Sequence, residues 1–173
     1  MSAARMEGYA MRTAIDQYLY LLDQAFEGHG EHALLANVRS LTDDTLRWLP
    51  PGGGRSAAAI LLHVGEARFV YESHAFGDGS RRWDRPGTIP TIPADSGAAK
   101  FEAWLRDSHD TFRSSVEALG DDRDLLTPRR APWGEAYETR WLINVMAQHD
   151  LYHAGEINHI RALHKGDDRW SWD

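Results

Sequence analysis

The chain has no cysteine among its 173 residues. Disulfide bonds, a cysteine nucleophile and a thiolate metal site are therefore excluded. Any bound metal must be held by histidine, aspartate or glutamate side chains. If the protein carries out thiol chemistry, the thiol must come from another molecule.

The sequence also lacks an excess of positive charge and long hydrophobic runs. Its 19 lysines and arginines stand against 26 aspartates and glutamates, which gives a formal net charge of −7. This balance disfavours nucleic acid and anionic membrane surfaces as partners, because both need clustered cations. No run approaches the length of a transmembrane helix, and the N-terminal segment lacks the apolar core of a signal peptide. We therefore expect a cytoplasmic protein.

What the sequence does contain is helical periodicity. Apolar residues recur at intervals of three and four in four segments, and no alternating pattern predicts a strand. The length fits one domain, residues 1–173. The sequence thus predicts an all-α fold, a four-helix bundle with long helices over about residues 10–27, 57–76, 97–120 and 139–165.

The segments between these helices carry their own signals. Residues 77–96 contain three prolines and predict a long loop, which would suit a crossover between parallel neighbouring helices. Residues 121–138 are expected to form a second loop. Ser56 is a hydroxyl N-cap for the second long helix. In the C-terminal tail, Trp170 and Trp172 are expected to pack back onto the body.

Three histidines interrupt the apolar faces of two of these helices. His149 and His153 occupy the positions that continue the apolar stripe of the last helix between Met146 and Ile157. Side chains four residues apart lie on the same helix face. His63 lies on or beside the inward stripe of the second long helix. Bundles build metal sites from side chains on facing helices, so the pattern predicts a three-histidine site for zinc, nickel, iron or copper.

Helical spacing does not by itself make a histidine a metal ligand. A single inward histidine is more often a hydrogen-bonded core residue. His74, His109, His159 and His164 are alternatives for the third ligand. His109 stays open as a ligand, although a core or surface position is expected first. His74 lies about three turns from His63, too far to share its metal unless the helix register shifts. We expect surface positions for His29, His32 and His159, and a favourable interaction of His164 with the dipole at the C-terminus of the last helix.

Acidic residues flank the same helix faces. Glu156 follows His153 by three residues and borders the inward face, whereas Asp150 and Tyr152 are expected to lie off it. Glu156 is a candidate catalytic residue, either as a general base or as a partner that orients a histidine ring. Glu66, one turn after His63, could also border the site.

Three segments resemble the DinB/YfiT-like superfamily: "LTDDTLRWLPPGGGRS", "SAAAILLHVGEARF" and "QHDLYHAGEINHIRAL". The resemblance covers about residues 12–165. It implies a four-helix bundle in which one histidine of the second long helix and an H-x-x-x-H pair of the last helix bind a divalent metal, usually zinc or nickel. By position these ligands are His63, His149 and His153. The resemblance also implies a homodimer.

The resemblance implies several possible activities. Relatives include mycothiol-dependent maleylpyruvate isomerases, bacillithiol S-transferases and metal-dependent hydrolases. Many members have H-x-G-Q-I after the second histidine, whereas this chain has "HAGEI", so Glu156 replaces an amide by a carboxylate. Three protein ligands leave metal positions open, which favours catalysis over a closed structural site.

Our first hypothesis is a metal-dependent S-transferase or thiol-dependent isomerase that acts on a small molecule, with a low-molecular-weight thiol as cosubstrate. The alternatives are a hydrolase in which Glu156 takes a proton from metal-activated water, and a non-catalytic metal- or ligand-binding bundle. Trp133 and Tyr137, in the loop before the last helix, could form a wall of the substrate pocket.

Overall fold

Four long helices form the body of the molecule in a computed structural model that describes residues 11–167. In chain order the helices are α1 (Thr13–Glu27), α2 (Leu34–Arg39), α3 (Asp43–Arg47), α4 (Ala57–Phe76), α5 (Ala98–Glu117) and α6 (Thr139–Lys165). The long helices α1, α4, α5 and α6 are those that the periodicity predicts, so the all-α bundle is confirmed. Trp170 and Trp172 lie outside the described residues.

Helices α4 and α5 run in the same direction. Arg68 donates a hydrogen bond to Ser108 at 3.2 Å, and further along both helices Ser115 donates one to Glu72 at 2.9 Å. Because α4 and α5 are parallel, residues 77–97 must carry the chain back along their length. The long loop is therefore a crossover connection.

Helix α6 runs antiparallel to α4. Arg55, just before α4, contacts Glu156 near the end of α6, whereas Ala75 at the end of α4 packs with Leu142 near the start of α6. This direction sets the middle of α6 opposite the first half of α4. The start of α4 is fixed by Ser56, whose side chain accepts a hydrogen bond from the backbone N–H of Ala59 at 3.2 Å.

A glycine allows α4 and α5 to approach closely. Gly65 is buried on α4, directly under the indole of Trp104 on α5. A Cβ atom at this position would lie 2.3 Å from Cζ3 of Trp104, which is far inside van der Waals contact. The indole itself is held by a hydrogen bond from its Nε1 to the carbonyl oxygen of Pro90 in the crossover loop, at 3.3 Å. Gly65 therefore permits the packing that ties the loop to the bundle.

The segment from 121 to 138 is more ordered than the sequence predicts. It contains a 3-10 helix (Asp122–Leu126) and an antiparallel hairpin of β1 (Pro128–Arg130) and β2 (Ala136–Glu138). The prediction of a strandless loop is wrong here, because three-residue strands are too short to show an alternating pattern. The hairpin leads directly into α6.

The apolar stripes that the sequence predicts on α1 and α5 are buried. On α1 they are Ile15, Leu19, Leu22 and Phe26, and on α5 they are Phe101, Trp104, Leu105, Phe112 and Val116. Within residues 11–167, no helix is both long enough and apolar enough to cross a membrane.

Candidate metal centre

Three imidazole rings converge between α4 and α6. Nε2 of His149 lies 3.1 Å from Nε2 of His63 and 3.2 Å from Nε2 of His153. The three histidines each offer a ring nitrogen within 4.8 Å of the other two. The structure thus brings together the three histidines that the sequence singles out, from two helices far apart in the chain.

Local helix geometry explains the convergence. His149 and His153 are four residues apart on α6, so their rings are neighbours on one helix face and meet edge-on, with centroids 4.4 Å apart. His63 faces both rings edge-on from the antiparallel helix α4, at 5.0 and 5.2 Å between centroids. His153 is buried, whereas His63 and His149 are partly exposed. The cluster therefore reaches the molecular surface on the side of His63 and His149.

The nitrogen set fits a divalent metal. Two imidazole nitrogens bound to one tetrahedral zinc ion at 2.0–2.1 Å are about 3.4 Å apart, close to the separations seen here. Three Nε2 atoms face one another here. Without a cation, the lone pairs of any two of them that have no N–H hydrogen between them would repel each other. A metal ion relieves that repulsion, so the chemistry of the donors fits the group.

The imidazoles are held in the neutral form that binds metals. Burial, followed by the neighbouring rings of His153 and His63, lowers the pKa of His149 to about 3. Burial also lowers the pKa of His63 and of His153, although the hydrogen bond to Glu156 opposes the shift of His153. At neutral pH the nitrogens therefore carry lone pairs rather than a positive charge.

Glu156 contacts the cluster from its outer side. Its Oε2 atom lies 2.7 Å from Nδ1 of His153, and both of its oxygens lie 3.2 Å from Nη2 of Arg55. An Nδ1–H bond to this carboxylate leaves Nε2 of His153 as the free lone pair, directed at the other rings. In contrast, Nδ1 of His149 is buried and has no hydrogen-bond partner within residues 11–167.

The expectation for Asp150 is wrong. It does not lie off the buried face: the side chain is 1 % exposed, and Oδ1 is 2.5 Å from Nη2 of the equally buried Arg68 on α4. Burial raises the pKa of the Asp150 carboxyl, while the Arg68 charge opposes the shift. Sequence reasoning misses Arg68, although a charged residue inside the apolar run of α4 is itself a signal of a buried partner.

The other six histidines do not join the cluster. His109 is buried between α1 and α5, where its ring stacks on Phe26 at 4.0 Å and its Nε2 lies 3.1 Å from Asp23. His164 is exposed and bonds Thr45 through Nδ1 at 2.9 Å. His29, His32 and His159 are exposed as expected, and His74 is partly buried.

The remaining residues considered from the sequence have other contacts. Glu66 accepts a hydrogen bond from Thr91 of the crossover loop at 3.1 Å. Trp133 packs edge-on against Tyr71 and against Tyr137, which in turn stacks on Trp141 at 4.2 Å. These aromatic rings form a cluster at the hairpin. Its member on α6, Trp141, precedes His149 by eight residues, which is about 12 Å along the helix axis.

Comparison with known proteins supplies the family. A family model described as the DinB superfamily matches residues 28–157. The match covers three quarters of the chain and includes the three histidines and Glu156. No curated protein matches the chain.

Proposed function

Because the chain belongs to the DinB superfamily, we propose that it is a metal-dependent enzyme that transfers a low-molecular-weight thiol to an electrophilic small molecule, or uses the thiol to isomerise one. The open three-histidine cluster carries this proposal. Among residues 11–167, no fourth histidine, aspartate or glutamate joins that cluster. Closed structural zinc sites usually have four protein ligands, so three leave room for a substrate. Since the chain has no cysteine, the thiol must be a separate molecule.

The chain's own residues prepare the centre. A divalent cation such as zinc or nickel, held by the Nε2 atoms of His63, His149 and His153, would lower the pKa of a coordinated thiol and stabilise the thiolate. Burial keeps the imidazoles neutral. Glu156 fixes the tautomer of His153, and Arg55 balances the carboxylate charge. The partly exposed rings of His63 and His149 lie on the side from which substrates can approach.

The second candidate is a metal-dependent hydrolase, which one observation favours. The Glu156 carboxylate lies beside the cluster and is 30 % exposed, so it could take a proton from a water molecule. However, this carboxylate is shared between His153 and Arg55, which leaves it less free to act as a base. These contacts support an orienting role for Glu156 and, with it, the thiol-dependent activity.

The thiol-dependent activity is tested directly by a transfer assay. Zinc- or nickel-loaded protein is mixed with bacillithiol, mycothiol or glutathione and 1-chloro-2,4-dinitrobenzene, and formation of the thioether with release of chloride is followed. We expect a rate above the free-thiol background with at least one thiol, and its loss in His149→Ala. A background rate with all three thiols, while ester or amide substrates are hydrolysed, would support the hydrolase instead. Stoichiometric metal without any turnover would support a non-catalytic binding protein.

We also propose that the protein acts as a homodimer in the cytoplasm. Apolar side chains support self-association: Leu21 of α1 and Leu151 of α6 are 41 % and 47 % exposed beside a shared cleft of about 330 Å³. Light scattering after size exclusion should give twice the chain mass of 19.6 kDa. A monomer at micromolar concentration would contradict this part of the proposal.

A further inference from the structure

A buried ion pair lies in the core next to the metal centre. Arg68 is 2 % exposed and Asp150 is 1 % exposed, and Nη2 of the arginine lies 2.5 Å from Oδ1 of the aspartate. Both oxygens of Asp150 are buried, and within residues 11–167 neither accepts a hydrogen bond of good geometry, so the close contact with Arg68 is an ion pair. Transfer of two charges from water into a protein core is costly, so the pair needs a reason beyond stability.

Arg68 contacts all three of the other long helices. Its guanidinium pairs with Asp150 of α6, donates to the Ser108 hydroxyl of α5 at 3.2 Å and lies 4.7 Å from the ring centroid of Phe26 of α1. The ring of Phe26 also stacks on His109, at 4.0 Å. The arginine thus occupies the point where α1, α4, α5 and α6 meet.

The pair joins the same two helices that supply the three histidines. Arg68 follows His63 by five residues on α4, which is about 7.5 Å along the helix axis. Asp150 lies between His149 and His153 on α6. Sliding or rotation of α4 against α6 would separate His63 from His149 and His153. The same movement would break the ion pair and leave two unpaired charges in a core without water. A buried pair that is weak as a stabiliser can therefore be strong as a determinant of register.

We propose that Arg68 and Asp150 form a positioning pair that fixes the register of α4 against α6 and so holds His63 next to His149 and His153. This inference rests on the proposed metal centre. It makes one distinctive prediction, that the pair matters more for metal binding than for folding. Apolar residues of similar volume often replace buried ion pairs without loss of stability, yet they would leave the register of the two helices less defined.

The main test compares a double variant with a matched control. Arg68→Met/Asp150→Leu removes the buried pair, and Arg39→Met/Glu102→Leu removes an exposed pair between α2 and α5. Zinc affinity is measured by competition with a chromophoric chelator, the visible spectrum of the cobalt form is recorded, and the metal-free proteins are unfolded in urea. For the buried pair we expect a loss of zinc affinity of about tenfold or more, an altered cobalt spectrum and a free energy of unfolding at least equal to wild type.

The control should keep the wild-type zinc affinity and cobalt spectrum. The inference is overturned if the buried-pair variant also keeps both. If that variant does not fold, Asp150→Asn carries the test, because it keeps the shape and removes the charge. We expect Asp150→Asn to lose part of the zinc affinity, and wild-type affinity in this variant would overturn the inference.

A second measurement does not depend on metal binding. Crystal structures of the metal-free wild type and double variant give the distance between Nε2 of His63 and Nε2 of His149, which is 3.1 Å here. We expect the two rings to separate in the variant, and an unchanged distance would overturn the inference. A wild-type protein that binds no metal would contradict the proposed function, but this comparison would still decide whether the pair sets the register.

Discussion

Histidines are buried in two regions of this bundle, and what faces their nitrogen atoms differs. Between α1 and α5, the ring of His109 stacks on Phe26, and its Nε2 faces the carboxylate of Asp23. Between α4 and α6, Nε2 of His149 faces one imidazole nitrogen on each side. Burial lowers the pKa of both groups, to about 4 for His109 and about 3 for His149. A low pKa therefore does not distinguish the candidate metal centre from the other region, whereas the convergence of lone pairs does.

The largest expected difference between the two regions is stabilisation by zinc. Free zinc at a thousand times its dissociation constant should raise the free energy of unfolding of wild type by about 4 kcal/mol. His149→Ala should show almost none of this gain, because one of three ligands is missing. His109→Ala should show all of it. Urea unfolding with and without buffered zinc measures this increase in the free energy of unfolding. An equal increase in both variants would contradict a difference in zinc binding between the two regions.

His109→Ala should instead destabilise the metal-free protein, by about 3 kcal/mol, because it leaves a cavity against Phe26. His109 is only 6 % exposed, so the cavity would be buried. Asp23 keeps a partner, because Arg113 also donates to it at 2.9 Å. Urea unfolding of the metal-free variant measures the cost, with His159→Ala on the exposed face as the control. A cost below that of the control would show that His109 is not a core residue.

Substitution of Glu156 should have an intermediate effect on the metal. Glu156→Ala removes the acceptor for Nδ1–H of His153 and should weaken zinc binding about 10- to 100-fold. Glu156→Gln keeps an acceptor, so its loss should be smaller. A general base would behave differently: both variants would keep the metal and lose most of kcat. Zinc competition and steady-state kinetics on the same preparations separate the two roles.

The last comparison concerns the pH dependence of stability, where the expected difference per pH unit is small. The pKa of His109 is about 4 in the folded protein, because burial and then the Arg68 charge lower it, against about 6.5 when unfolded. Between these values the unfolded chain binds more protons, so the free energy of unfolding falls as the pH falls from 6.5 to 4. In His109→Phe the free energy of unfolding should fall less steeply with pH, by at most about 1.4 kcal/mol per pH unit. The other histidines are the same in wild type and His109→Phe, so they do not contribute to the difference in slope. Equal slopes in the two proteins would therefore contradict a lowered pKa at His109.

The candidate centre could be predicted because each of its histidines breaks a local pattern. The positions of His149 and His153 follow from the helical period alone, and so does the inward face of His63. The same reasoning predicts the buried faces of α1 and α5, which bring Phe26 and the His109 ring together.

The errors concern contacts between distant segments. The sequence predicts Asp150 off the inward face because its position is about 100° around the helix from His149. What buries it is Arg68, on another helix, and periodicity within α6 carries no information about that partner. The hairpin of residues 128–130 and 136–138 escapes prediction for a related reason, since each strand is defined by the other and not by its own three residues.

Metal content is the most direct test of the central claim. Elemental analysis of wild type, His63→Ala, His149→Ala, His153→Ala and His109→Ala after purification under identical conditions compares the two regions in one experiment. We expect close to one equivalent of zinc or nickel in wild type and in His109→Ala, and loss of the metal in the other three variants. Metal retained in all of the variants, or absent from wild type even after incubation with zinc or nickel, would contradict a metal centre at these histidines.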